Sequence, residues 1–176
     1  MHSKNPEHDR FLAYYHDHKD KLLIYLMARL NFDRSVAEDL LMDVVLKAYE
    51  NFHKFDPGKS SFKTWIFTLT HNHLVNYWRD SKKKKTTSLD QLEEAGFSAA
   101  AISPEDKVSP RIESEKIQHV LSLMKDAERE IITLRYLEDL DYHEIAKIIN
   151  KKEGAVRTNL SRALKRFSEL YKKIYD

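Results

Sequence analysis

The chain has no cysteine, which excludes disulfides, thiolate zinc sites and thiol redox sensing. Glycine and proline are scarce, three and four in 176 residues. Val, Ile and Thr do not alternate with polar residues over any long stretch, so sheet structure is not expected. No apolar run approaches the roughly 20 residues of a membrane span, and the start, MHSKNPEHDR, lacks the apolar segment of a signal peptide. The expectation is a cytoplasmic protein with no membrane insertion of its own. What remains, 33% charged and 41% apolar residues, describes a globular, all-α chain of one or two small domains.

The formal net charge of +2 hides opposed blocks. From Glu113 to Ala146 four Lys/Arg stand against nine Asp/Glu, a net of −5; from Lys147 to Lys173 nine stand against two, a net of +7. The basic block coincides with two short amphipathic segments. Tyr142, Ile145, Ala146 and Ile149 recur at helical spacing behind a capping-box pair, Asp141 and Glu144. Asn150 follows the last apolar position and suits the left-handed conformation that ends a helix. Val156, Leu160, Ala163 and Phe167 then line one face of a second helix. Its opposite face shows Arg157, Thr158, Ser161, Arg162 and Lys165, a length and polarity suited to a major groove with phosphates on either side. This reads as a helix-turn-helix, with DNA as the partner. Cations that merely solvate a terminal helix would not explain why turn, caps and charge block agree in register.

In the first half, Phe11, Tyr15, Leu22, Leu23, Leu26 and Leu30 recur with helical period and stop at Asn31. Ser35 with Glu38 forms a second capping box, and Val36, Leu40, Val44, Ala48 and Phe52 mark a buried stripe down to the turn Asp56-Pro57-Gly58. Ser60 or Ser61 caps the next helix, in which Phe62, Trp65, Ile66, Leu69 and Tyr77 mix with Asn72, His73, Asn76, Arg79 and the run Lys82 to Lys85. Aromatics at helical spacing are usually core and lysine runs usually solvated, which accounts for Phe62 and Leu69. The interleaving from Trp65 to Trp78 also suits single-stranded nucleic acid, whose bases stack on rings while phosphates attract lysines.

Between the halves, residues 86–112 hold small residues, two prolines and five acids against two bases. Such composition buries too little apolar surface to offset ordering, so a flexible acidic linker is expected. It divides the chain into domains 1–85 and 113–176. Nine histidines invite metal chemistry, but the spacings are poor. His143-Glu144 begins a zincin-like pattern whose second histidine would fall on Lys147, and His71 and His73, two apart, point to different sides of a helix. His16-Asp17 has no partner residues at sensible spacing. Neither metal, cofactor nor catalysis is expected.

The order of segments resembles the extracytoplasmic-function group of bacterial sigma factors over nearly the whole chain. Val36-Ala37-Glu38-Asp39-Leu40 and Asp43-Val44-Val45-Leu46-Lys47 resemble that family's polymerase-binding helix, with Met42 where glutamine is usual. Ser61-Phe62-Lys63-Thr64-Trp65-Ile66, then Asn72, Val75, Asn76, Tyr77 and Arg79, resemble the helix that opens and reads the downstream promoter element, with Asn76 where aspartate is usual. The C-terminal match runs through Arg129, Leu134-Arg135-Tyr136-Leu137, Tyr142-His143-Glu144-Ile145-Ala146, Gly154-Ala155-Val156-Arg157 and Leu160-Ser161-Arg162-Ala163. Met124-Lys125 replaces a common Leu-Pro, Lys152 a capping serine, and Ala155 and Asn159 the commoner threonine and arginine.

The resemblance implies a sigma-2-like domain that docks on the β′ coiled coil of core RNA polymerase through Asp39, Leu40, Asp43, Val44 and Lys47. It implies recognition of the minus-ten element of promoter DNA by Phe55, Lys59, Ser61, Trp65, Asn72, His73, Asn76 and Arg79, with a flipped base held by the loop from Phe55 to Ser61. A sigma-4-like domain would contact the β flap and the minus-thirty-five element through Arg135, Lys151, Lys152, Gly154, Arg157, Thr158, Ser161, Arg162 and Lys165. An anti-sigma factor is an implied partner, and a stress or envelope regulon an implied target. The alternative is a helix-turn-helix regulator that works without polymerase, whose first lobe would need a ligand cavity or dimer face.

Overall fold

The computed structural model describes residues 6–87 and 108–176, with side chains over 6–81 and 112–176. All regular elements among them are helical. Helix α1, Pro6–Arg29, starts with proline at its first position, where the missing N–H costs nothing. It ends at Asn31 and Phe32, both left-handed at φ 52° and 62°. Helix α2, Arg34–Asn51, is capped by Asp33, whose carboxylate accepts the Val36 amide at 3.1 Å. The expected Ser35–Glu38 capping box does not form. The chain reverses two residues earlier than that pattern implied, so Asp33 reaches the first free amides and Glu38 pairs with Arg34 at 2.7 Å instead.

A short 3₁₀ turn, Phe52–Lys54, leads into the Asp56-Pro57-Gly58 turn, where the Asp56 carboxylate accepts the Gly58 amide at 2.9 Å. Ser61 caps α3, Phe62–Thr87, by accepting the Thr64 amide at 3.1 Å. The expected linker falls largely on residues 88–107, outside the described part. Its last five positions, 108–112, are already helical, because α4 spans Val108–Ser122. Helix α5, Asp126–Ile132, runs into one wide turn, Thr133–Leu137, closed by Glu138 N to Thr133 O at 3.1 Å. Helix α6, Tyr142–Ile148, has the full Asp141–Glu144 capping box, and Asn150 is left-handed at φ 51° as expected. Helix α7, Glu153–Tyr175, starts at Lys152, which gives no side-chain cap.

The two halves do not stand apart: α1 packs on α4, α5 and the wide turn, and α3 packs on α6. One apolar core runs from Phe11, Leu22, Tyr25 and Phe67 in the first half to Leu134, Leu140, Ile145 and Val156 in the second. A smaller core, Leu121, Met124, Ile131, Ile132, Leu160 and Ala163, fixes α7 on α4 and α5.

The seam between the halves is also polar. Arg29 and Arg129, 4% and 3% exposed, and Glu130, 6% exposed, lie in it. Glu130 accepts the Tyr25 hydroxyl at 2.6 Å, sits 2.7 Å from His71 Nδ1 and faces Arg29 at 3.7 Å. Arg129 donates to Asn31 Oδ1 at 2.7 Å and to the carbonyls of Ala28, Ser122 and Met124. Arg29 donates to the Asp126 carbonyl and stacks on Trp78 at 4.7 Å. Burial alone would raise the Glu130 carboxyl, but the His71 hydrogen bond, the charges of Arg29 and His71 and the Tyr25 hydroxyl together hold it below the usual range.

Candidate nucleic-acid interface

Helix α7 buries Val156, Leu160 and Ala163 and leaves Phe167 half-buried, which turns its other face outward. Arg157, Thr158, Ser161, Arg162 and Lys165 are all exposed there, with Lys151, Lys152 and Gly154 exposed at its start. A Cβ added at Gly154 would meet nothing within 4 Å, so this glycine leaves open surface rather than relieving a clash. Arg157 reaches back to Glu153 at 2.6 Å. Arg135 projects from the wide turn, donating to the Leu140 carbonyl at 3.1 Å and lying 3.7 Å from Asp139. Eight of the nine residues expected to face upstream DNA are therefore exposed, and Arg135 is half-buried.

The downstream candidates divide. Lys59, Ser61, Asn72, Asn76 and Arg79 are exposed around the start and outer face of α3. Phe55 and Trp65 are half-buried and tilted against each other, 5.3 Å between ring centres. They form the rim of an aromatic cluster with Phe52 and Phe62 beneath and Tyr14 stacked on Phe62 at 4.8 Å. A ring pair with one side open to solvent can take a flat base by stacking.

His73 turns inward instead, toward α2. Its Nδ1 is 2.9 Å from Lys47 Nζ and its Nε2 is 3.5 Å from Asp43 Oδ2. Lys47 can only donate, so Nδ1 accepts and the ring proton sits on Nε2. Burial and the Lys47 charge lower the imidazole below its ordinary range, with Asp43 pulling the other way, so the neutral form prevails at pH 7. His71 leaves the opposite side of the helix to meet Glu130, so the two histidines do point apart.

On α2, Asp39, Asp43 and Lys47 are exposed, whereas Leu40 and Val44 are 5% and 1% exposed and belong to the core. These two support the face from beneath and cannot touch a partner. The apolar members of that surface are Met42, Leu46 and Tyr49, 62%, 60% and 42% exposed. They were legible as apolar residues lying off the core stripe at helical spacing. Tyr49 also packs edge-on against His8 and Phe11, so Met42 and Leu46 are the most open members of that row.

Comparison with known proteins identifies the family. Residues 15–84 match the family model for Sigma-70 region 2, and residues 114–167 that for Sigma-70, region 4. The chain is 35% identical over 139 residues to the ECF RNA polymerase sigma factor SigM of Bacillus subtilis, covering 79% of this chain and 82% of that one. This chain belongs to the ECF sigma factors of the sigma-70 family. It is also 31% identical over 150 residues to the RNA polymerase sigma factor YlaC of the same organism, covering 85% and 84%. Among solved structures, the sigma factor RpoE of Bartonella quintana, in complex with the anti-sigma factor NepR, superposes at a TM-score of 0.70 with 22% identity, covering 93% and 99%; this likeness supports the helical fold. This ECF sigma factor thus carries the all-α, sigma-2 and sigma-4 architecture its sequence implied, and a regulator independent of polymerase is not favoured. Among the described residues no helix is long and apolar enough to cross a membrane, and no group of His, Asp and Glu is placed to hold a metal.

Proposed function

We propose that this sigma factor divides its work among three surfaces. The exposed row of α2, with Asp39, Asp43, Lys47, Met42, Leu46 and Tyr49, docks on the β′ coiled coil of core RNA polymerase. The outer face of α3 with the Phe55–Trp65 rim reads and opens the minus-ten element. The basic face of α7, with Arg135, reads the minus-thirty-five element, while the sigma-4-like half contacts the β flap. The protein acts in the cytoplasm, performs no chemistry itself, and serves a stress or envelope regulon under an anti-sigma factor. The observation that carries this reading is that the basic candidates of α7, and Asn72, Asn76 and Arg79 of α3, are exposed while the core stripes of the same helices are buried, with Phe55 and Trp65 half-buried at the rim.

Geometry adds a requirement. The two promoter elements lie about 25 base pairs apart, about 85 Å of duplex at 3.4 Å per pair, whereas a compact chain of this length is about 40 Å across. On this reading the halves must part at the seam before both elements are read together.

Run-off transcription with the source organism's core polymerase, on a pool of its genomic fragments, tests the proposal. Discrete new transcripts that require this protein are expected, and Asp43→Arg should abolish them by reducing core affinity. No transcripts together with no stable complex with core enzyme would overturn it.

A further inference from the structure

Two cations proposed for upstream recognition come from different elements, Arg135 from the wide turn and Arg157 from α7, yet both lie over the same ring. The Arg157 guanidinium carbon is 4.2 Å from the Tyr142 ring centre and that of Arg135 is 5.5 Å from it. Tyr142 is the first residue of α6, directly behind the capping Asp141. Its half-buried ring packs against both apolar clusters, so it offers a fixed plate.

The remaining holds on these arginines are weak. Among the described residues, the other partner of Arg157 is Glu153, one turn back on the same helix, and such exposed pairs contribute little. Arg135 has one carbonyl and the exposed Asp139. A free arginine must give up rotamer freedom when it docks. Stacking on a ring occupies the face of the guanidinium and leaves its N–H edges free for a phosphate or a guanine.

We propose that Tyr142 is a positioning residue for upstream recognition: its ring holds Arg157 and Arg135 with their donor edges outward, so that both enter the duplex already oriented. This rests on the assignment of the α7 face to upstream DNA, but its physical content is present in the free protein. The face of the ring, rather than the hydroxyl, does the positioning.

The test compares Tyr142→Phe, which keeps the ring, with Tyr142→Leu, which removes it, in the full chain. Binding is measured to a duplex carrying the upstream element of a promoter mapped by run-off transcription. Tyr142→Leu should weaken binding by about fivefold, from two stacking contacts partly desolvated in the complex, and Tyr142→Phe by less than about twofold. In an Arg157→Ala background the leucine substitution should cost less, because one of the two positioned groups is already gone. The second readout needs no DNA: the NMR order parameter of the Arg157 Nε–Hε group should fall in Tyr142→Leu and stay unchanged in Tyr142→Phe. Equal loss of binding in both variants would show that the hydroxyl itself contacts DNA and would overturn the proposal. An unchanged order parameter in Tyr142→Leu would overturn it as well. If the unaltered protein does not bind duplex at all, the assignment of α7 fails, while the order parameter still decides whether the ring orders Arg157.

Discussion

The seam between the halves and the outward face of α7 are both built around arginine, and burial gives the same side chain opposite roles. At the seam, Arg29 and Arg129 are almost wholly buried, and protein groups meet their guanidinium ends. On α7, Arg157, Arg162 and Lys165 are exposed, and any protein partner the first of them has lies within one helical turn or on the ring of Tyr142. A buried charge has already exchanged its water for protein, and removing its partners is costly. An exposed one keeps its water and can exchange it for phosphate, releasing counterions as it does so. Counting basic residues along the sequence cannot separate the two, whereas burial does.

The largest expected break in this comparison is at Arg129. Arg129→Ala empties a site linked to Asn31 and three carbonyls, and should lower stability by about 3 to 5 kcal/mol. Urea denaturation reads this directly. A loss no larger than that of an exposed α7 arginine would erase the distinction between the two regions.

The next effect is on pH dependence. Glu138, 1% exposed, lies at the seam with neither carboxylate oxygen hydrogen-bonded. Burial raises its carboxyl from 4.5 to about 7, opposed by Lys21 of α1 and Lys63 of α3, which also donates to the Glu138 carbonyl. A carboxyl raised in the folded state favours folding while it is protonated. Its contribution is therefore complete below about pH 4.5 and is lost as pH rises through about 7. Raising the pH from 5 to 8 should weaken the folded state by about 2 kcal/mol through this group alone. Glu138→Gln, measured by denaturation across the same range, should flatten that part of the profile. Glu130 acts in the opposite sense: its lowered carboxyl favours folding above the usual carboxylate range, and that contribution is lost as pH falls through its folded value.

A smaller effect sharpens the comparison from the other side. Helix α7 begins at Lys152 without a side-chain cap, so Lys152→Ser should stabilise the folded chain by about 1 kcal/mol. The same substitution removes a cation assigned to upstream DNA, so stability and duplex affinity should move in opposite directions. Parallel changes would show that Lys152 only starts the helix.

Much of the α7 face proposed to read DNA was legible because its signals are local. The Asp141–Glu144 box, the left-handed Asn150 and the inward stripe of Val156, Leu160 and Ala163 lie within 23 residues and fix which side of α7 faces out. The start of α2 was not legible to the residue, because Asp33 and Ser35 both stand where a cap could form, and the left-handed pair Asn31–Phe32 decides for Asp33. The helical period had already placed Leu40 and Val44 on the buried stripe, whereas the resemblance that grouped them with Asp39 and Asp43 carries no information on which are buried. The seam was invisible, since Tyr25 and Glu130 are 105 residues apart and each looks ordinary in its own helix. His73 was assigned to DNA by its neighbours on α3, whereas Lys47 and Asp43 on α2 hold it inward.

The most direct test of the central claim, that exposed cations of α7 act on DNA and leave fold and docking alone, is Arg162→Ala measured in three ways at once. Upstream duplex affinity should fall by about 1 to 3 kcal/mol, while core polymerase affinity stays unchanged and stability stays within about 0.5 kcal/mol. Equal losses of duplex and core binding, accompanied by a lower denaturation midpoint, would contradict the account and make Arg162 a structural residue.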